Sequence, residues 1–92
     1  MIVRILTEGQ YRVAGACLDE LNLLDNELVR LVAAGDEANF LRVFAQMLNL
    51  VRQKGEPLPI DELQESELIL PSPDLTLSDA KKLFVSEGLI PG

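Results

Sequence analysis

Apolar positions recur at spacings of three and four through the middle of the chain. In residues 16–34, Leu21, Leu24, Leu28 and Leu31 form such a series, widened by Leu18 and Val32. This spacing places apolar side chains on one face of a 3.6-residue helix and predicts an amphipathic helix there. Asp19, Glu20, Asp25, Asn26, Glu27 and Arg30 are read as falling mainly outside the stripe, facing water. Gly35 ends the helix because it can take the left-handed conformation of a C-terminal cap. Asp36 then caps a second helix over residues 37–54, its carboxylate accepting from free backbone N–H groups. The main stripe of that helix is Phe40, Phe44, Met47, Leu48 and Val51. Lys54 suits the negative end of the helix dipole, and Gly55 stops the helix. A connection as short as Ala34-Gly35-Asp36 makes the two helices antiparallel neighbours.

The second helix is apolar over more of its circumference than one partner helix covers. Val43 and Leu50 lie seven residues apart, hence on one side. At roughly 100° per residue they sit roughly 100–120° from Phe44. Two readings follow. The extra flank packs on a β segment of the same chain, or it is a surface for a helix of another protein. Leu23 and Val29 lie off the main stripe of the first helix, as isolated apolar residues often do.

The ends of the chain predict a small sheet. Ile2-Val3-Arg4-Ile5-Leu6 is rich in β-branched residues and reads as a strand over 1–6, with Ile2, Arg4 and Leu6 on one face and Val3 and Ile5 on the other. Gly9 marks a turn, after which residues 11–13 pair back as a second strand. Pro57 and Pro59 impose an extended strap over 55–60, pinned to the core by Leu58 and Ile60. Residues 61–65 suit one helical turn. Residues 67–70 read as a strand that partners the N-terminal one. Thr76 and Asp79 make a capping-box-like pair opening a helix over 77–86, with Leu77, Ala80, Leu83 and Phe84 inward and Lys81 and Lys82 outward. Gly88 closes it, and Leu89 and Ile90 fold back on the last turn. The expected fold is α+β: an antiparallel helical hairpin packed on a small β-sheet, built from an N-terminal β-hairpin plus a later strand, with a short C-terminal helix. The 92 residues suit one domain spanning 1–92.

Composition narrows the function. Lys and Arg number 8 against 15 Asp and Glu, a formal net charge of −7. Phosphate backbones and anionic lipid surfaces repel such a protein on average, which argues against direct nucleic-acid or bilayer binding and for a basic partner surface. There is no histidine, the commonest general acid/base and metal ligand. The single Cys17 cannot form an internal disulfide, which fits a reducing cytoplasm, and it reads as a small buried apolar residue. No apolar run approaches transmembrane length and no signal-peptide pattern opens the chain, so a soluble, unexported protein is expected.

Catalytic patterns are absent. Ser and Cys nucleophiles need a positioned base, and no histidine is available. The glycines are scattered singly, with no phosphate-cradling loop. Asp61, Glu62, Glu65, Glu67 and Asp74 are the densest carboxylate group, but EF-hand spacing is missing, so a solvated acidic surface is the reading and no metal or cofactor is expected. Ser66, Ser72, Ser78 and Ser86 stand near turns and caps. The stretch Thr7-Glu8-Gly9-Gln10-Tyr11 reads either as turn geometry or as a contact loop.

Several stretches in order resemble the PspAA family. They are Met1-Ile2-Val3-Arg4-Ile5-Leu6 with Glu8-Gly9-Gln10-Tyr11, then Leu18-Asp19-Glu20-Leu21-Asn22 and Ala34-Gly35-Asp36. Further on come Gly55-Glu56-Pro57-Leu58-Pro59, Glu67-Leu68-Ile69-Leu70-Pro71-Ser72-Pro73-Asp74 and the closing Glu87-Gly88-Leu89-Ile90-Pro91-Gly92. The resemblance covers essentially the whole chain. It implies a PspA-associated protein of the phage-shock, or envelope-stress, system, with no catalytic residues. It further implies a partner that is a long coiled-coil, membrane-remodelling factor guarding the inner membrane. It implies a small residue such as glycine at the position of Thr7. The expected function is a non-enzymatic, cytoplasmic adaptor that binds a PspA-like coiled coil and meets the membrane only through it. The residues expected at the contact are Val43, Met47 and Leu50 with Glu8, Gln10 and Tyr11. A homodimer through the same face and a ligand sensor at the Asp61 group are the alternatives.

Overall fold

The computed structural model describes residues 1–59 and 64–83. The elements run β1 (Ile2–Ile5), β2 (Gly9–Arg12), α1 (Leu18–Ala34), α2 (Glu37–Lys54), β3 (Glu56–Pro57), β4 (Leu68–Leu70) and α3 (Leu77–Leu83). This is the α+β arrangement expected: an antiparallel helical hairpin, a small sheet and a short C-terminal helix. The expected turn at 61–65, the pinning residue Ile60 and the segment from Phe84 through Gly88, Leu89 and Ile90 lie largely or wholly outside the described residues.

The loop between the helices is tied at both ends. Gly35 adopts φ 69°, ψ 24°, and its N–H donates to the Val32 carbonyl at 3.1 Å while that of Asp36 donates to the Leu31 carbonyl at 3.1 Å. These two bonds are the left-handed closure that glycine makes without a Cβ penalty. Asp36 then turns to the next helix: its Oδ1 accepts from the Asn39 N–H at 3.3 Å, and its Oδ2 accepts from Asn39 Nδ2 at 2.7 Å. The other end of α1 is less defined. No side chain caps it, and Gly15–Cys17 form a 3-10 turn ahead of Leu18. The regular helix therefore starts two residues later than the periodicity suggested, as happens where no Ser, Thr, Asp or Asn sits at the cap.

The sheet order is β3-β2-β1-β4. β1 pairs antiparallel with β2 and parallel with β4, and β2 pairs antiparallel with β3. The later strand thus partners the N-terminal one as expected. The strap after α2 does more than cross the surface: Glu56 and Pro57 form a fourth, edge strand, where a proline lacking an N–H is tolerated. Gly55 is not a left-handed cap. It is extended (φ −94°, ψ 159°), and a Cβ there would stand 2.6 Å from the Val51 carbonyl oxygen and 3.0 Å from Tyr11 Cβ. The position needs glycine for space, because the chain leaves α2 directly against β2.

One buried cluster joins the layers. It takes Val3 and Ile5 from β1, Leu21, Leu28 and Leu31 from α1, Phe40, Val43, Phe44, Met47, Leu48 and Val51 from α2, Leu68 and Leu70 from β4, and Leu77 and Ala80 from α3. Phe40 and Phe44, one turn apart, stack with ring centroids 5.9 Å apart and planes 14° from parallel. Truncating either to alanine removes about 3–5 kcal/mol of packing. α3 packs against both α1 and α2. Its Thr76 Oγ1 accepts from the Asp79 N–H at 3.2 Å and donates to the Asp79 carboxylate at 3.0 Å, the expected cap with the reciprocal bond made between side chains. Lys81 and Lys82 are exposed, as expected. Asp25 corrects the expectation of an outward acidic face: it is 1% exposed, four residues after Leu21 and three before Leu28, inside the buried stripe of α1. Cys17 is half-buried against the core, less enclosed than expected.

Candidate docking surface

The β1–β2 hairpin carries a connected set of polar contacts that reach α2 and residues 64–66. The turn is tight: the Glu8 N–H donates to the Ile5 carbonyl at 3.0 Å. Thr7 sits at φ 68° and Gly9 at φ 136°. A β-branched residue is strained in the left-handed region. This is the position where the family resemblance implied glycine.

Glu8 is fixed at the tip of this turn. Arg52, in the last turn of α2, reaches it with two nitrogens, Nη2 to Oε1 at 2.5 Å and Nε to Oε2 at 2.9 Å. The Tyr11 hydroxyl donates to Oε2 at 2.9 Å. The hydrogen bond from Arg52 is the largest influence on Glu8 and holds its carboxyl below the ordinary value of 4.5, against a smaller opposing effect of burial. Burial first, then the bond to Glu8, pushes the Tyr11 phenol above its ordinary 10.0. The pair is a forked guanidinium–carboxylate contact, the geometry in which arginine binds most specifically.

Gln10 plays a different part. Its residue pair on β1 is Arg4, so it lies on the sheet face away from Val3 and Ile5. Its Nε2 donates to the Gln64 carbonyl and to Ser66 Oγ, both at 2.7 Å, which brings residues 64–66 over this face and leaves Gln10 only 9% exposed. Beside it, a groove of about 360 Å³ is lined by Arg4, Leu6, Thr7, Gln10, Leu58 and Pro59, among others including Glu8 and Tyr11.

The six residues expected at a partner contact therefore divide. Glu8, Gln10 and Tyr11 come together at the groove, each already bonded within the chain. Val43 and Met47 are 3% and 0% exposed and belong to the same buried cluster as Val3 and Ile5; Leu50 is half-buried against it. The wide apolar sector of α2 is thus largely used by the chain itself, and Leu50 is the part of that flank a partner can reach. Sequence reasoning passed over three residues of the open sheet face: Arg4, Leu6 and Ile69. The available signal was an arginine in the middle of the apolar run Ile2-Val3-Arg4-Ile5-Leu6. Among the described residues, no three His, Cys, Asp or Glu gather to hold a metal ion, and no helix is long and apolar enough to cross a membrane.

The strained hairpin tip, the arginine-held carboxylate and the partly apolar groove adjoin one another. The chain belongs to the PspA-associated protein family, PspAA, which matches residues 1–92, its whole length. The family name implies association with PspA in the stress response. No curated protein and no solved structure matches the chain.

Proposed function

We propose that this protein is a non-enzymatic adaptor or regulator that binds a PspA-like coiled-coil protein in the envelope-stress response. The observation that carries this reading is the family match over residues 1–92. Its charge of −7 favours a partner with basic segments and speeds their encounter. The hairpin tip with Glu8 and Tyr11 stands in the proposed contact, and Leu50 on the α2 flank is a second candidate. Contact with the inner membrane runs through the partner, and the protein itself works in the cytoplasm.

Co-purification with the PspA-like protein of the same genome, across a salt titration, tests the reading. A complex at low salt that weakens as salt rises supports it. Absence of a complex at every salt concentration contradicts it.

A further inference from the structure

The sheet has two unlike faces. Val3 and Ile5 of β1 are both 0% exposed and belong to the core. On the opposite face, strand register sets Arg4 between Gln10 on β2 and Ile69 on β4. Leu6 lies two residues beyond Arg4, and its N–H still donates to the Leu70 carbonyl at 3.0 Å, so the strand alternation carries it to the same side. Much of this face is closed: Gln10 is covered by residues 64–66, and Ile2 is 7% exposed. Leu6 and Ile69 are not. They stand 44% and 52% exposed, with the exposed Arg4 adjoining both.

Arg4 is the unusual member. Arg52 and Arg30 are engaged by Glu8 and Glu27. The guanidinium of Arg4 makes no hydrogen bond or ion pair among the described residues. In a protein of charge −7, a guanidinium left unpaired on a central strand, between two exposed aliphatic side chains, is a local reversal of charge. Its complement is a carboxylate flanked by apolar groups.

We propose that the Leu6–Arg4–Ile69 patch docks an amphipathic helix of the PspA-like partner, one that presents a carboxylate between apolar residues. The carboxylate pairs with Arg4, and the apolar residues cover Leu6 and Ile69. This rests on the function proposed above and names the surface and chemistry that serve it. The spacings agree. Leu6 and Arg4 are two residues apart, about 6.6 Å in extended chain, and helix residues four apart rise about 6 Å. A helix lying along β1 therefore sets an apolar and an acidic side chain over the two. The adjoining groove of about 360 Å³ takes a further apolar side chain. A helix laid on the face fits better than a strand added at the edge, because β4 offers an added strand only three residues.

The test measures binding of the purified PspA-like protein to the wild type and to Arg4→Glu, Arg4→Lys, Leu50→Ser and the pair Leu6→Ser with Ile69→Ser. Circular dichroism and thermal melts accompany each. Arg4→Glu is expected to weaken binding at least tenfold, Arg4→Lys less, and the double serine variant at least fivefold. Should Arg4→Glu fail to fold, the double serine variant decides, since both its side chains are exposed. Wild-type binding that survives both changes overturns the assignment and leaves the partner reading intact, as does loss confined to Leu50→Ser. A wild-type dimer that Arg4→Glu dissociates, with partner binding unchanged, gives the patch to a second copy and equally overturns it. No binding by the wild type removes the partner reading itself.

Discussion

Arg52 holds Glu8 across 44 residues of sequence, with nitrogen–oxygen distances of 2.5 Å and 2.9 Å, and so fastens the end of α2 to the tip of the β1–β2 hairpin. The side chains are 34% and 26% exposed, so water screens the pair and its contribution is modest. A double-mutant cycle with Glu8→Gln and Arg52→Gln is expected to give a coupling of about 0.5–1 kcal/mol by urea unfolding, falling in high salt. Additive single effects at low salt would contradict the clamp. The pH dependence has a definite sign. The Glu8 carboxyl is held below 4.5 in the folded chain, so its stabilisation is present above the unfolded value and is lost as pH falls through the lower folded value. Glu8→Gln should therefore flatten the stability profile below about pH 4.5 and leave the neutral region unchanged in shape.

Gly55 shows how the same end of α2 depends on space. An added Cβ meets the Val51 carbonyl oxygen at 2.6 Å, and Tyr11 Cβ and Val13 Cγ2 at 3.0 Å and 3.2 Å. Gly55→Ala is expected to destabilise by about 1–3 kcal/mol, even though Gly55 has an ordinary φ of −94°. Denaturant titration checks this, and an unchanged or raised midpoint would show that the junction of α2 with β2 yields easily.

Thr7 offers the opposite case. At φ 68° it occupies backbone space that a β-branched residue takes only under strain. Thr7→Asn, which tolerates that region, is expected to stabilise by about 1 kcal/mol, raising the melting temperature by about 4–8 °C for a chain of this size. A lowered melting temperature would mean the threonine side chain contributes more than its backbone costs.

Much of the fold was legible because local signals agreed. The helical hairpin followed from leucine and phenylalanine spacing together with Gly35 and Asp36, and both caps are present in the structure. β3 was not legible, since a two-residue strand ending in proline carries no alternation. Asp25 was misjudged by residue type, although its spacing from Leu21 and Leu28 placed it in the stripe. For the flank of Val43 and Leu50 both readings stayed open, packing on the chain's own β segment or facing a partner, because no local pattern decides between them. The shared face of Arg4 and Leu6 and the pairing of 67–70 with the N-terminal strand were legible, whereas the parallel register that sets Ile69 beside Arg4 was not.

The most direct test of the central claim is whether the protein and the PspA-like protein of its genome form a complex. Co-purification at low ionic strength, followed by a salt titration, gives the answer. The account predicts a stable complex at low salt that weakens progressively as salt screens the acidic surface. Separate elution of the two proteins at the lowest salt would contradict it.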